Sequence, residues 1–236
     1  MPTIDIILPA YYPVAGWEEV VINRFTSLQK ALPHSSLGLV IVNDGTPGLD
    51  ESPALTLLRN AIPHLKWVSY AANRGKGYAL REGVRHSRAG ILVYTDIDWP
   101  YTEGCMIDII QSLNEQTDVA IGTRDNSYYQ NLPKARTRIS RLLRWINAKL
   151  LGLQVSDTQA GLKGFRASAK DLFLATTIDR YLFDLEFIYR LSGRRELRVH
   201  PVPVTLREGI VFSRMNRKIL FQEGLNFLKI MISGRK

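Results

Sequence analysis

Apolar and polar positions follow two different periods along the first half of the chain. Short apolar runs, each of the length of a buried strand, alternate with segments in which apolar residues recur every three or four positions. The predicted strands are residues 3–8, 37–42, 67–71, 91–95 and 119–123, and the predicted helices are 15–32, 53–62, 78–86 and 103–113. Such alternation predicts an α/β fold, with a mostly parallel sheet sandwiched by helices.

The second half has a more basic and less regular pattern. Residues 134–150 are predicted to form a helix with one apolar face and many lysines and arginines, and residues 157–165 a glycine-punctuated loop and strand. The other predicted elements are helices over 168–174, 183–192 and 215–232 and strands within 197–204. Since no linker rich in Pro, Gly or Ser separates the halves, we predict a single domain over residues 1–236.

Two carboxylates follow the fourth predicted strand. Asp96 and Asp98 stand one residue apart after the apolar run 91–95. Because alternate side chains of a strand point the same way, both are expected to project from its carboxyl end, which faces the ligand crevice in open α/β sheets. Such oxygen ligands suit Mg²⁺ or Mn²⁺ shared with substrate phosphates. The alternative is a turn in which the aspartates cap the next helix.

Polar side chains follow the other predicted strands as well. Asp44 stands between an apolar strand and a glycine, where a carboxylate either accepts hydrogen bonds from a nucleobase or forms an Asx turn. Lys76 lies between two glycines, a setting suited to phosphate, although the dinucleotide fingerprint and the Walker sequence are both missing. All the strand-end candidates are expected to converge on one crevice. They are Tyr11, Asp44, Arg74, Lys76, Asp96, Asp98 and Arg124.

Composition limits the classes of binding partner and the cellular compartment that we expect for this protein. The formal net charge is +9 and the pI about 9.7, which favours anionic partners such as nucleic acid, phosphorylated substrates or an anionic membrane. The single cysteine, Cys105, excludes an intrachain disulfide and suits a reducing compartment. No apolar run approaches the ~20 residues of a membrane span, and no signal peptide is evident. We predict a cytoplasmic protein and leave open peripheral binding at the inner face of the membrane.

Seven short segments together carry a family resemblance. In chain order they are LPAY at 8–11, VNDGT at 42–46, NRGKG at 73–77, TDID at 95–98, GTR at 122–124, DTQAGLKGFR at 157–166 and FDLE at 183–186. The first five resemble family 2 glycosyltransferases of GT-A fold. The last two resemble the polyprenyl-phosphate branch, which includes dolichyl-phosphate mannose synthases and polyprenyl-phosphate glucosyltransferases. The resemblance covers nearly the whole chain.

The resemblance implies roles for the matching residues. Asp96 and Asp98 would bind a divalent metal, Mg²⁺ or Mn²⁺, that bridges the donor diphosphate, and Asp157 would act as a base or an orienting group. The first half, 1–125, would bind the nucleotide sugar and the second, 126–236, the acceptor. Pro13 departs from the family, where an acidic residue is common. The predicted donor-binding residues are Pro9, Tyr11, Asp44, Lys76, Asp96, Ile97, Asp98, Arg124, Arg207 and Arg214.

The predicted reaction is the transfer of a hexose, with inversion, from a nucleotide diphosphate sugar of the GDP-mannose or UDP-glucose type to a polyprenyl phosphate. Metal and basic residues would stabilise the charge that develops on the departing diphosphate. Three alternatives stay open: a soluble or glycan acceptor, a nucleotidyltransferase, and a basic nucleic-acid-binding module. Carboxylates clustered at the strand ends argue against nucleic acid as a partner.

Two amphipathic segments point to an anionic membrane surface. If residues 134–150 form a helix, Arg138 and Arg141 lie beside Trp145 on the face opposite its apolar side, the pattern of an interfacial anchor. The same arginines are predicted, together with Gln159, to bind the acceptor. The terminal helix, 215–232, is predicted as a second contact. The alternative for residues 134–150 is that Trp145 packs beneath a neighbouring helix and the arginines form a solvated face.

Overall fold

The computed structural model describes residues 2–124, 160–208 and 217–233 of the 236-residue chain. The predicted helix over 134–150 lies outside these residues, as do Arg138, Arg141, Asp157, Gln159 and Arg214.

Strands and helices alternate in the first half, as predicted. The elements are β1 (Thr3–Ala10), α1 (Trp17–Ala31), β2 (Ser36–Asp44), α2 (Pro53–Ala61), β3 (Leu65–Tyr70), α3 (Lys76–Arg85), β4 (Ile91–Tyr94), α4 (Glu103–Ser112) and β5 (Val119–Arg124). Local signals set several boundaries. Pro53 opens α2 behind Ser52, whose hydroxyl accepts a hydrogen bond from the Leu55 amide at 3.3 Å. Gly75, at a φ of 106°, precedes α3 in a conformation that favours glycine.

The second half adds two strands and three helices to the described structure. They are β6 (Lys163–Arg166), a 3₁₀ turn (Ala167–Ala169) leading into α5 (Lys170–Leu174), α6 (Phe183–Leu191), β7 (Val199–Val204) and α7 (Arg217–Ser233). Within residues 2–124, 160–208 and 217–233, the helices lack the length and hydrophobicity of a membrane span.

In the described part of the chain, seven strands form one sheet in the order β3-β2-β1-β4-β6-β5-β7. Only β6 runs antiparallel, and it lies between β4 and β5. Buried side chains pack on both faces of this sheet. On one face the helical residues belong to α1, α2 and α4, and on the other to α3, α5, α6 and α7. The predicted mostly parallel α/β sheet is therefore confirmed.

Candidate active site

The site lies where three neighbouring strands end. Strands β2, β1 and β4 are adjacent and parallel, so the segments after them meet at one edge of the sheet. Asp44 ends β2, Tyr11 follows β1, and Asp96 and Asp98 follow β4. The predicted convergence of these segments arises from the strand order.

Asp96 and Asp98 do not lie on a strand, so strand alternation does not orient their side chains, contrary to the prediction. Strand β4 ends at Tyr94, and the chain then turns, with the Trp99 amide donating to the Asp96 carbonyl at 2.9 Å. Trp99 is buried and has a φ of 48°, which is rare for a bulky side chain. Backbone strain of this kind persists only where surrounding contacts hold it, and it concentrates at functional sites.

Arg207 holds this turn from the far end of the chain. Its Nε donates to the carbonyl of Trp99 at 2.7 Å, and one guanidinium nitrogen donates to the carbonyl of Asp98 at 2.8 Å. The Arg207 amide also donates to the carbonyl of Pro100 at 2.9 Å. In this structure the guanidinium therefore contacts the backbone next to the carboxylates. Its expected contact with a diphosphate stays a prediction.

Lys76 and Gly161 complete the immediate surroundings of Asp96. The Lys76 ammonium forms an ion pair with the Asp96 carboxylate. A Cβ atom added at Gly161 would lie 2.6 Å from Asp96 Oδ2 and 3.4 Å from Lys76 Nζ, closer to Oδ2 than real side chains come. Any side chain at this position would therefore force the Asp96 carboxylate or the nearby backbone to shift. Gly161 belongs to the DTQAGLKGFR segment, whose sequence carries no signal that singles out this glycine as a site residue.

Burial and charge act together on these groups. Burial raises the pKa of Asp98 and the Asp96 carboxylate raises it further, while Lys76 and Arg207 oppose the rise. For Lys76, burial favours the neutral amine, but Asp96 and Asp184 outweigh it and raise the lysine pKa. Two carboxylates and one ammonium group thus lie together at a partly exposed turn. A divalent cation would relieve the repulsion between the two carboxylates.

Asp44 is buried and accepts hydrogen bonds from the end of β3 and from the loop that follows it. The donors are the Tyr70 hydroxyl at 2.8 Å, the Asn73 amide at 2.8 Å, and the backbone amides of Arg74 and Gly75 at 2.8 and 2.9 Å. Burial raises the pKa of the Tyr70 phenol, and its hydrogen bond to Asp44 adds to the effect. Asp44 therefore positions the loop that leads to Lys76, and contact with a nucleobase stays a prediction.

Comparison with known proteins identifies the family. The family model described as "Glycosyl transferase family 2" matches residues 5–173, which is more than half of the chain. The chain belongs to glycosyl transferase family 2.

Relatives and solved structures agree with this assignment. A dolichyl-phosphate beta-glucosyltransferase of Drosophila melanogaster is 25% identical over 219 residues, covering 87% of this chain and 67% of that protein. One of Saccharomyces cerevisiae is 23% identical over 225 residues, with the same two coverages. The chain thus spans about two thirds of these relatives.

Among solved structures, glucosyl-3-phosphoglycerate synthase of Mycobacterium tuberculosis, in complex with Mn²⁺, UDP-glucose and phosphoglyceric acid, has a TM-score of 0.66 at 16% identity. The match covers 98% of this chain and 79% of that one. A mannosyltransferase of Pyrobaculum calidifontis, in complex with GDP-Man and Mn²⁺, has a TM-score of 0.61 at 18% identity, over 86% and 55% of the two chains. At these identities the likeness shows the fold alone, and it confirms the GT-A prediction for this family 2 glycosyltransferase.

The remaining donor-site predictions of this glycosyltransferase lie at the same edge of the sheet. Tyr11 is half exposed and contacts Tyr12 edge to face, at 4.8 Å between ring centroids, and Pro9 is partly buried in β1. Arg124 ends β5, which is parallel to β4 but separated from it by β6. The side chain of Ile97 packs on the core, so its predicted contact with the donor would have to use the backbone.

A buried ion pair behind the site was not predicted from the sequence. The Lys163 side chain is fully buried, and its ammonium lies 2.8 Å from Asp184 Oδ1 and donates to the Ala160 carbonyl at 2.6 Å. The Tyr94 hydroxyl donates to the same Asp184 oxygen at 2.6 Å. A buried charge is stable only when it is paired, so this cluster ties β4, β6 and α6 together and fixes the backbone next to Gly161. Lys163 and Asp184 were quoted within family motifs, but their pairing could not be read from the sequence.

The carboxylate ligands available at this site fit the divalent metal that the family implies. No group of three or more His, Cys, Asp or Glu side chains placed to hold a metal occurs within residues 2–124, 160–208 and 217–233. Asp96 and Asp98 form a pair of hard oxygen ligands at a partly exposed turn. Mg²⁺ is commonly held by one or two carboxylates together with substrate phosphates and water, so two protein ligands are sufficient.

Proposed function

We propose that the protein transfers glucose from UDP-glucose to the phosphate of a polyprenyl phosphate, with inversion at the anomeric carbon. The observation that carries this proposal is the turn with Asp96 and Asp98, set beside Lys76 and left open by Gly161, at the edge of a GT-A sheet. The names of the relatives, dolichyl-phosphate beta-glucosyltransferases, support glucose and a lipid phosphate.

The residues of the site divide the work on the donor. A divalent metal bound by Asp96 and Asp98 would supply positive charge to the departing diphosphate. Lys76 adds a second positive charge at the same place, and Arg207 keeps the turn in position through the carbonyls of Asp98 and Trp99. Preorganised charge of this kind stabilises the leaving group without reorganisation during the reaction.

The acceptor phosphate has to be positioned, and it does not need a strong base. A phosphate monoester is already ionised near neutral pH, so it can attack once it is held in line with the departing diphosphate. We assign the acceptor to the second half, 126–236, with Arg138, Arg141 and Gln159 as its contacts. Asp157 is assigned as the base or orienting group. The nucleoside is assigned to the first half, with Pro9, Tyr11 and Asp44 at the base and ribose.

A matrix of donors and acceptors tests the proposal. UDP-glucose, UDP-galactose and GDP-mannose are each incubated with Mn²⁺ and one of three acceptors: a short-chain prenyl phosphate, 3-phosphoglycerate or a disaccharide. We expect glucose on the prenyl phosphate, with the β anomer identified by NMR of the product and turnover abolished by excess chelator. Glucose on 3-phosphoglycerate or the disaccharide alone would establish the soluble-acceptor alternative instead, and transfer from GDP-mannose alone would refute the assignment of the donor.

A further inference from the structure

Helix α7 carries an apolar stripe that faces away from the protein. Leu225 and Leu228 are 53% and 54% exposed, and Ile232 is 85% exposed. These positions, spaced by three and four residues, fall within about 60° of one another on a helix. Single exposed apolar residues are ordinary, but three on one stripe of one helix mark a candidate interaction surface.

The opposite face of α7 packs on the protein. Glu223 and Ile230 are buried, and Phe227 packs against the core cluster that includes Phe183 and Phe187. These residues lie roughly 120 to 180° around the helix from the exposed stripe. The helix is therefore amphipathic in an unusual sense, since a buried carboxylate is on its inner face and two leucines are on its outer face.

A polar contact keeps the helix in this orientation. Glu223 Oε2 accepts a hydrogen bond from the Leu182 amide at 3.0 Å. Rotating α7 to bury the leucines would break this bond and leave the Leu182 amide without its acceptor. The exposure of the stripe thus follows from a specific contact.

The same contact connects α7 with the donor site. Leu182 follows the Asp179 segment, and the carbonyl of Asp179 accepts hydrogen bonds from the Gly77 and Tyr78 amides at 2.7 and 3.2 Å. These amides belong to the first turn of α3, which begins at Lys76. The helix that carries the outward stripe is therefore connected to the first turn of α3 through residues 179–182.

We infer that α7 lies on an anionic membrane surface, with Leu225, Leu228 and Ile232 inserted at the boundary between head groups and acyl chains. Lys229 is exposed and lies about 40° around the helix from Leu225, where a cation would meet lipid phosphates. The net charge of +9 attracts the whole molecule to such a surface. This inference rests on the proposed function, because a polyprenyl phosphate keeps its chain in the bilayer and the enzyme must approach it there.

A second copy of the chain fits the stripe less well. Two molecules of net charge +9 repel each other, whereas an anionic bilayer attracts both. A stable dimer interface needs about 20 to 30 residues on each side, and the stripe offers three apolar side chains. Both the charge and the size of the stripe therefore favour lipid over a protein partner.

Vesicle sedimentation tests the inference directly. The purified full-length chain is mixed with phosphatidylcholine vesicles that contain or lack about a third of phosphatidylglycerol, at low and high salt. We expect binding to the anionic vesicles that weakens as salt rises. The double substitution Leu225→Gln with Leu228→Gln should weaken this binding by about tenfold or more. The variant no longer transfers two leucine side chains from water into the bilayer when it binds.

A matched control separates the stripe from surface leucines in general. Leu57 on α2 is 50% exposed, so Leu57→Gln makes the same chemical change at nearly the same exposure. We expect this variant to bind vesicles like the wild type. Equal binding by the double variant and the wild type would overturn the inference, as would equal loss in the Leu57→Gln variant.

Two further measurements distinguish membrane binding by α7 from dimer formation and from failure of the proposed function. Analytical ultracentrifugation should find the wild type and the double variant in the same oligomeric state, and a wild-type dimer lost in the variant would make α7 a protein interface instead. A short prenyl phosphate dissolved in water needs no membrane, so the double variant should glucosylate it at the wild-type rate. If neither protein uses that acceptor, the proposed function fails. If both use it while the variant still binds vesicles normally, only the membrane inference fails.

Discussion

At the scale of single residues, Gly161 is the position where one added carbon should matter most. In Gly161→Ala the new methyl would lie 2.6 Å from Asp96 Oδ2, so either the Asp96 carboxylate or the backbone of residues 160–162 must move. We expect kcat/KM to fall by about tenfold or more, and overpacking to lower the free energy of unfolding by roughly 1–3 kcal/mol. Steady-state kinetics with a saturating acceptor and urea denaturation measure the two effects.

Gly104 on α4 is the matched control for this change. A Cβ atom there would meet no other atom within 4 Å. Alanine is the better helix former by about 1 kcal/mol, so Gly104→Ala should be as stable as the wild type or more so, with unchanged kinetics. Wild-type kinetics in Gly161→Ala would show that the space beside Asp96 is not needed.

Substitution of Asp98 tests metal binding separately from the stability of the fold. An amide is a poorer ligand than a carboxylate for a hard cation, so Asp98→Asn should reduce transfer by more than about 100-fold and abolish Mn²⁺ binding in calorimetry with UDP-glucose present. The thermal unfolding midpoint should not fall, because the substitution removes a partly buried charge that lies near another carboxylate. Asp108→Asn, at an exposed position of α4, is the control. Undiminished Mn²⁺ binding by Asp98→Asn would remove this residue from the metal site.

At the scale of elements, Asp118 joins three segments of the second half of the sheet. Its carboxylate accepts hydrogen bonds from the Arg198 amide before β7 at 3.0 Å, from Arg198 Nε at 3.2 Å, and from the Ser168 hydroxyl at 3.0 Å. Burial by itself would raise the Asp118 pKa, but these hydrogen bonds and the Arg198 charge outweigh it and lower the pKa. The ionised carboxylate is therefore the form that stabilises the folded protein.

The sign of the pH dependence follows from this shift. A pKa that is lower in the folded than in the unfolded state stabilises the fold above the unfolded pKa, and the effect disappears as pH falls through the folded pKa. Asp118→Asn should therefore lower the free energy of unfolding at pH 7 by about 1–3 kcal/mol, and by progressively less below about pH 4. Urea titrations of both proteins across this range measure the difference. A difference that stays constant with pH would show that the charge of Asp118 is not involved.

At the scale of the whole molecule, the two halves of the chain share one sheet. Strand β6 comes from the second half but pairs with β4 on one side and β5 on the other. Strand β5 also pairs with β7, so residues 1–125 alone would leave β5 without either of its neighbours. The division into a donor half and an acceptor half is thus a proposal about function, and we expect the two halves to fold together rather than separately.

A fragment of residues 1–125 should therefore fail to fold as it does in the full chain. Loss of β6 exposes the edge of β4 and uncovers β5, which favours aggregation. We expect the fragment to be insoluble or to unfold without a cooperative transition, while the full chain gives one transition that is the same by near- and far-ultraviolet circular dichroism. A soluble fragment with a sharp transition would show that the first half is an independent domain.

The amino-acid sequence by itself determined the elements and the family. The spacing of apolar residues predicted β1 over 3–8 and α3 over 78–86, against Thr3–Ala10 and Lys76–Arg85 in the structure. It succeeded because helix and strand periodicity is local, and each element must bury one side whatever its neighbours are. The order of the short motifs likewise predicted the family 2 assignment that the family model confirms.

Tertiary structure decided which groups meet. Three features of the fold join residues that are distant along the chain. They are the position of β6 between β4 and β5, the ion pair of Lys163 with Asp184, and the hydrogen bond from Arg207 to the Asp98 carbonyl. No local period encodes such contacts, because they depend on strand order and on the paths of loops between elements. The position of Gly161 beside Asp96 arises in the same way. The turn at Trp99 shows most clearly what local sequence cannot predict. Its positive φ opposes the local preference of tryptophan, and the hydrogen bond from Arg207 to the Trp99 carbonyl holds the turn in place.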